Sequence, residues 1–179
     1  MEFFSKGTTF PLMFFWYLCL LLALGTLTIF SGTATGEDKA NKSMVKGSLT
    51  FGKTTVNYND GVAVSGNFDR VDKTIVYLTD KMADRNDVVK GLLKNGSYGG
   101  LSNRLELTFD TKGTLKYYFF YIRDGGTDQN IGKTPEDIKS EATISKGRVK
   151  GHVFVQKPLE VFDKKYKFDV TFEVDNISK

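Results

Sequence analysis

The chain has 179 residues, with 25 Lys and Arg against 21 Asp and Glu, one His and one Cys. Its 26% charged and 40% hydrophobic content is that of a folded protein rather than a disordered one. A net charge of +4 with no concentrated basic tract argues against nucleic acid as a partner, and a single cysteine excludes a disulfide within the chain.

The hydrophobic residues are unevenly spread. Residues 11–30 read PLMFFWYLCLLLALGTLTIF without a charge. As a helix this run would be about 30 Å long, which matches the hydrocarbon core of a bilayer. Two readings stay open for residues 1–36: a cleaved signal peptide, with Ala34 and Gly36 as the small residues at the cut, or an uncleaved transmembrane anchor. Lys6 precedes the run, so the positive-inside tendency keeps the N-terminus cytoplasmic. In both readings the chain beyond Gly36 is extracytoplasmic: periplasmic, secreted, or held outside the inner membrane by the anchor. Cys19 lies inside the run after Trp16, Tyr17 and Leu18, which is no lipid-attachment context. The exported part therefore has no thiolate for metal binding or catalysis.

Residues 37–43 form a polar link, and residues 44–179 form the expected domain. Residues 1–36 carry one acid (Glu2) and one base (Lys6), so the chain beyond them keeps 24 bases against 20 acids. That mild excess permits contact with an anionic envelope polymer or lipid headgroups without requiring it. From Met44 onward the hydrophobic period is two, the mark of strands. Strands are predicted over 45–51, 54–58, 62–68, 74–79, 104–110, 114–123, 148–156 and 166–174. The last is the clearest: Tyr166, Phe168, Val170, Phe172 and Val174 alternate with polar residues, and Leu105, Leu107 and Phe109 do the same against Arg104, Glu106 and Thr108 on a wet face. Tight turns are predicted at Gly52-Lys53, at Asn59-Asp60-Gly61 and at residues 110–113. One helix is predicted over 84–94, ended by Asn95-Gly96, with a second short helical turn starting at Pro135. The fold class is all-β: an antiparallel β-sandwich with one short helix, or alternatively a small closed β-barrel.

Chemistry is sparse. The segment 126–134, GTDQNIGKT, lacks the spacing of a phosphate-binding loop, with Thr127 where a glycine is required, so no nucleotide is expected. Asp124, Asp128 and Asn130 lack the closing glutamate of a calcium loop. His152 alone cannot build a histidine metal site and would need a partner to act as a general base. No catalytic residue, metal or cofactor is assigned. Two surface features stand out. Arg148, Lys150 and His152 share one strand face, a basic stripe that Lys164, Lys165 and Lys167 would extend, and that would suit an anionic ligand. Residues 117–121, YYFFY, are aromatic on both faces, one set for the core and one to be covered or to serve as a stacking surface.

The segments 147–154 (GRVKGHVF) and 159–172 (LEVFDKKYKFDVTF) resemble the C-terminal end of small secreted or envelope bacterial proteins of uncharacterised function. The resemblance spans residues 44–174 and departs at Val161, where an aromatic residue is more familiar. It implies export and an all-β domain, and no activity. Two function classes remain: a non-catalytic binding or interaction domain of the cell envelope, and a hydrolase with an unrecognised carboxylate site or a carboxylate beside His152. A ligand-holding small barrel is a third, narrower option.

Overall fold

A computed structural model describes residues 43–178 apart from 83, 101, 124–126 and 132–135. The hydrophobic run 11–30, residues 37–42 of the link, the loop around Asp124, residues 126 and 132–134 of the segment 126–134, and Pro135, where a helical turn is expected to start, lie outside the described residues. Among the described residues no helix is long and apolar enough to cross a membrane.

The domain is mostly β with one short helix. Among the described residues eleven strands succeed one another: β1 (Met44–Phe51), β2 (Thr54–Asn57), β3 (Asp60–Phe68), β4 (Val71–Thr79), β5 (Arg104–Asp110), β6 (Leu115–Ile122), β7 (Thr127–Ile131), β8 (Ile138–Ser145), β9 (Gly147–Val155), β10 (Leu159–Val161) and β11 (Lys164–Ser178). The helix α1 (Arg85–Asn95) lies between β4 and β5. All eight predicted strands form. The three missed ones, β7, β8 and β10, are polar, short or next to a proline, so their apolar alternation is weak.

Strand β11 organises the fold. Its 15 residues are long enough to take partners in succession along both edges. Residues Tyr166 to Glu173 pair antiparallel with β1 on one edge, and Asp169 to Asn176 pair antiparallel with β9 on the other. Where β1 has ended, Asn176 to Ser178 pair in parallel with Ala63 to Ser65 of β3. Through that last contact the hydrogen-bonded ladder continues into β4, β5, β6 and β7, while β8 extends β9. The order runs from β2 to β7 without those two strands meeting. The sheet is therefore open, and the closed-barrel alternative is not what the chain adopts.

The sheet folds over, so that side chains of β1 and β11 meet those of β5 and β6 although the strands are not neighbours. Phe51 and Phe120 have ring centroids 5.8 Å apart, Phe109 and Phe172 6.3 Å, and Tyr118 and Phe168 5.5 Å. Every second residue of β11 from Tyr166 to Val174 is buried in this core, as its alternation predicts. At 25 cal/mol per Å², each such aromatic side chain contributes about 2–3 kcal/mol on burial. A second apolar layer lies on the far side of β3 and β4, where Val62, Val64, Phe68, Ile75 and Tyr77 receive Val88 and Leu92 of α1. The helix starts at Asp84, whose carboxylate accepts from the Asn86 and Asp87 N–H groups, and stops at Gly96 in the left-handed conformation (φ 71°).

The turns at Gly52-Lys53 and at residues 110–113 form as expected. At the latter, Asp110 Oδ1 accepts from the backbone N–H of Lys112 and Thr114, both at 2.9 Å. Asn59-Asp60-Gly61 is not a hairpin turn: β2 and β3 do not pair, and Asp60 and Gly61 open β3. Gly61 is needed for close approach instead, because a Cβ there would stand 2.8 Å from Leu78 Cδ2 and 3.1 Å from Val174 Cγ1.

Candidate functional site

The predicted basic stripe lies on the outer face of β9, and its three residues do stand side by side. The register places β11 acids among them. Lys150 faces Glu173 and Arg148 faces Asp175 across the strands, and Asp169 lies two pairs further along from His152, on the same face. Lys150 Nζ is 3.0 Å from Glu173, Arg148 Nε 3.2 Å from the same carboxylate, and Arg148 also pairs with Asp175. Hydrogen bonds from Lys150 and then Arg148 hold the Glu173 carboxyl below the usual carboxylate range. Asp175 and Asp60 in turn hold Arg85 of α1, at 3.1 and 3.3 Å. A groove of about 650 Å³ runs along the stripe and is lined by both signs of charge, with Glu141 and Glu173 facing Lys150 and His152. Charge on this face is paired strand to strand, as in a solvated antiparallel sheet.

His152 does have a carboxylate beside it: its Nε2 is 2.9 Å from Asp169 Oδ1, and its ring stacks on Phe154 at 4.8 Å. Both partners are well exposed, at 43% and 63%. Among the described residues His152 makes no hydrogen bond to a hydroxyl, so the pair lacks the activated nucleophile that a triad requires.

A buried ionisable pair occurs elsewhere, on strands whose polar residues the alternation assigns to a wet face. Arg104 and Glu106 point away from the main core yet are only 6% and 5% exposed. The chain leaving α1 covers them. Arg104 Nη1 donates to the Gly100 carbonyl at 2.8 Å, and the Tyr98 N–H donates to Glu106. Arg104 Nε donates to Glu106 Oε1 at 3.1 Å. Across the strands, Tyr121 lies opposite Arg104 and Phe119 opposite Glu106. The guanidinium stands 4.9 Å from the centroids of both rings, a cation held between two aromatic faces.

No family model, curated protein or solved structure matches this chain. Its chemistry therefore rests on the geometry alone. Burial pushes the Glu106 carboxyl up to about 7, against the opposing pull of Arg104 and of the Tyr98 N–H. Tyr77, opposite Glu106 on β4, is pushed up to about 12, chiefly by burial. A groove of about 230 Å³ opens beside the pair, lined by Lys73, Ser97, Glu106, Thr108, Tyr117 and Phe119. Tyr117 is 51% exposed at its rim. Of the aromatic strand, Tyr118 and Phe120 belong to the core, while Tyr117, Phe119 and Tyr121 form the outer stripe. Among the described residues no cluster of three or more His, Cys, Asp or Glu is placed to hold a metal.

The sequence held one signal for this groove: pairing the 104–110 and 114–123 strands in a hairpin sets Glu106 against an aromatic residue. The cover provided by Tyr98 and Gly100 has no periodic signature, so burial of the charges was not legible.

Proposed function

We propose that the chain is a non-catalytic binding domain of the cell envelope, exported or anchored by residues 11–30, and that its ligand contact is the groove beside Glu106. The ring contacts between β1 and β11 on one side and β5 and β6 on the other support reading it as a sandwich-type scaffold. One observation carries the binding reading. A single buried carboxyl, held by a guanidinium that itself lies over two aromatic rings, lines a groove. Burying such a pair is costly, and apolar residues would often serve stability as well or better. Among the described residues Glu106 is the one carboxyl lining the groove, whereas hydrolysis of a glycosidic bond by the usual route needs two.

The lining suits a neutral sugar ring. Tyr117 and Phe119 offer faces to its C–H groups, and Glu106, Thr108 and Ser97 exchange hydrogen bonds with its hydroxyls. Lys73 and Arg104 disfavour a cationic ligand. The direct test is calorimetric titration of the full chain, in a sugar-free detergent, with N-acetylglucosamine and glucose tetrasaccharides. Binding that weakens about tenfold in Tyr117→Ala supports the reading, since losing one stacked ring removes about 1–3 kcal/mol. No heat with either sugar, or unchanged affinity in that variant, refutes it. For the compartment, a C-terminal reporter active only outside the cytoplasm is expected.

A further inference from the structure

The β10–β11 hairpin ends in a feature that neither the core nor the groove explains. Its turn is Phe162-Asp163, with φ of 50° and 58°. Both residues occupy the left-handed region, where Asn and Gly are the ordinary choices and a bulky side chain is strained. Phe162 gains no burial in exchange: it is 72% exposed, more than any other large hydrophobic residue described. A strained and solvated phenylalanine at a hairpin tip is a residue retained for something outside the domain.

The surroundings say what that is. Lys164, Lys165 and Lys167 come after the tip on β11, Lys157 precedes β10, and Lys53 sits in the β1–β2 turn, whose Gly52 N–H donates to the Lys165 carbonyl at 2.8 Å. All five are exposed, and among the described residues none is in an ion pair; Lys164 lies over the Phe51 ring at 5.2 Å. The nearby acids are Glu160, opposite Lys165 across β10 and β11, Asp163 in the turn, and Asp169 on β11. Beside the tip a groove of about 460 Å³ is lined by Ser48, Thr50, Pro158, Lys165, Lys167 and Asp169. Unlike the stripe on β9, whose cations are bound by Glu173 and Asp175, the β11 lysines have a single carboxylate opposite them, Glu160 across from Lys165.

We propose that this tip is a bilayer contact, with Phe162 entering the boundary of the acyl chains and the lysines and hydroxyls of the groove taking anionic phospholipid headgroups. An apolar wedge ringed by lysines is complementary to an anionic lipid surface, to which each lysine adds attraction within a Debye length. The chain also carries its own route to a membrane. Thirteen residues, 31–43, have a contour length of about 45 Å, more than the roughly 25 Å length of the eight-residue β1 that leads towards the tip. This inference does not depend on the groove at Glu106.

The test measures amide hydrogen exchange over residues 157–167 in the full chain. The chain is reconstituted in nanodiscs of phosphatidylcholine alone and of phosphatidylcholine with phosphatidylglycerol. Exchange about tenfold slower in the anionic discs is expected, lost in Phe162→Asn and in the double variant Lys165→Gln, Lys167→Gln. Phe162→Asn suits the turn, so its melting temperature should not fall, and its loss of protection then reports contact rather than unfolding. Equal exchange in the two discs, or full protection in Phe162→Asn, overturns the proposal. So does slowing by soluble polyphosphate without slowing in anionic discs, because the partner would then be an anionic polymer.

Discussion

Glu106 makes the stability of this domain depend on pH in an unusual direction. A buried carboxyl with a folded-state value of about 7, against an ordinary 4.5, is one whose neutral form fits the fold. Below 4.5 the group is protonated in both folded and unfolded chains and imposes no penalty. Between 4.5 and 7 the unfolded chain releases the proton while the folded chain keeps it, so stability falls as pH rises. Above 7 the folded chain ionises too and the loss is complete. At 1.36 kcal/mol per unit, the loss across this window is about 3 kcal/mol. Glu106→Gln imitates the neutral acid, so at pH 8 it should exceed the wild type by about 3 kcal/mol, on the order of 10 °C in melting temperature for a domain of this size. Urea denaturation of both proteins from pH 4.5 to 8.5 isolates the effect, because other titrating groups are common to both. If the two profiles run parallel, or if Glu106→Gln is the less stable at pH 8, Glu106 is ionised and satisfied in the fold and the reasoning fails.

Other expectations are more local. The Tyr58 hydroxyl is buried without a hydrogen-bond partner among the described residues, so Tyr58→Phe should be no less stable and should gain up to about 1 kcal/mol in urea melts. Gly47→Ala should be strongly destabilising: φ is 134° and a Cβ would stand 2.1 Å from the Asp169 carbonyl oxygen, so a loss above about 3 kcal/mol, or failure to fold, is expected on thermal melting. Carboxyl carbon shifts tracked by NMR should place Glu173 below the usual carboxylate range, and Lys150→Ala should move it back towards that range. Removing Arg104 alone, as Arg104→Met, leaves Glu106 without its guanidinium and should raise the Glu106 titration above 7 in the same spectra.

The most legible strand is β11, with one buried and one wet face, because strict alternation encodes a half-buried surface. Strand β8 also alternates, through Ile138, Ala142 and Ile144, but Ser140 interrupts the apolar series and the preceding Pro135 suggested a helical start. Local turn chemistry was reliable at Gly52 and Asp110. It misled at Gly61, where glycine answers to packing against Leu78 and Val174 rather than to backbone curvature. Of the sites, Arg148, Lys150 and His152 were placed on a common face correctly, but their neutralisation depends on β11 lying beside β9, and pairing of strands distant in sequence leaves no local trace. The Arg104–Glu106 pair was hidden by an aperiodic covering segment, and Phe162 by the fact that exposure of an aromatic residue is a tertiary property.

The position of β11 has a consequence for how the molecule comes into being. Half of the sheet docks on this strand, and its end bridges to β3 through pairs such as Asn176 with Ala63. A nascent chain that has not yet released Lys164–Ser178 has neither the seam that joins the two halves nor the rod on which β1 and β9 lie. Closure must therefore wait until β11 emerges, and such distant pairings are slow to form. A polypeptide built this way stays threadable while its other ten strands are being made, and removing β11 alone should release a collapsed, protease-sensitive chain rather than a smaller domain.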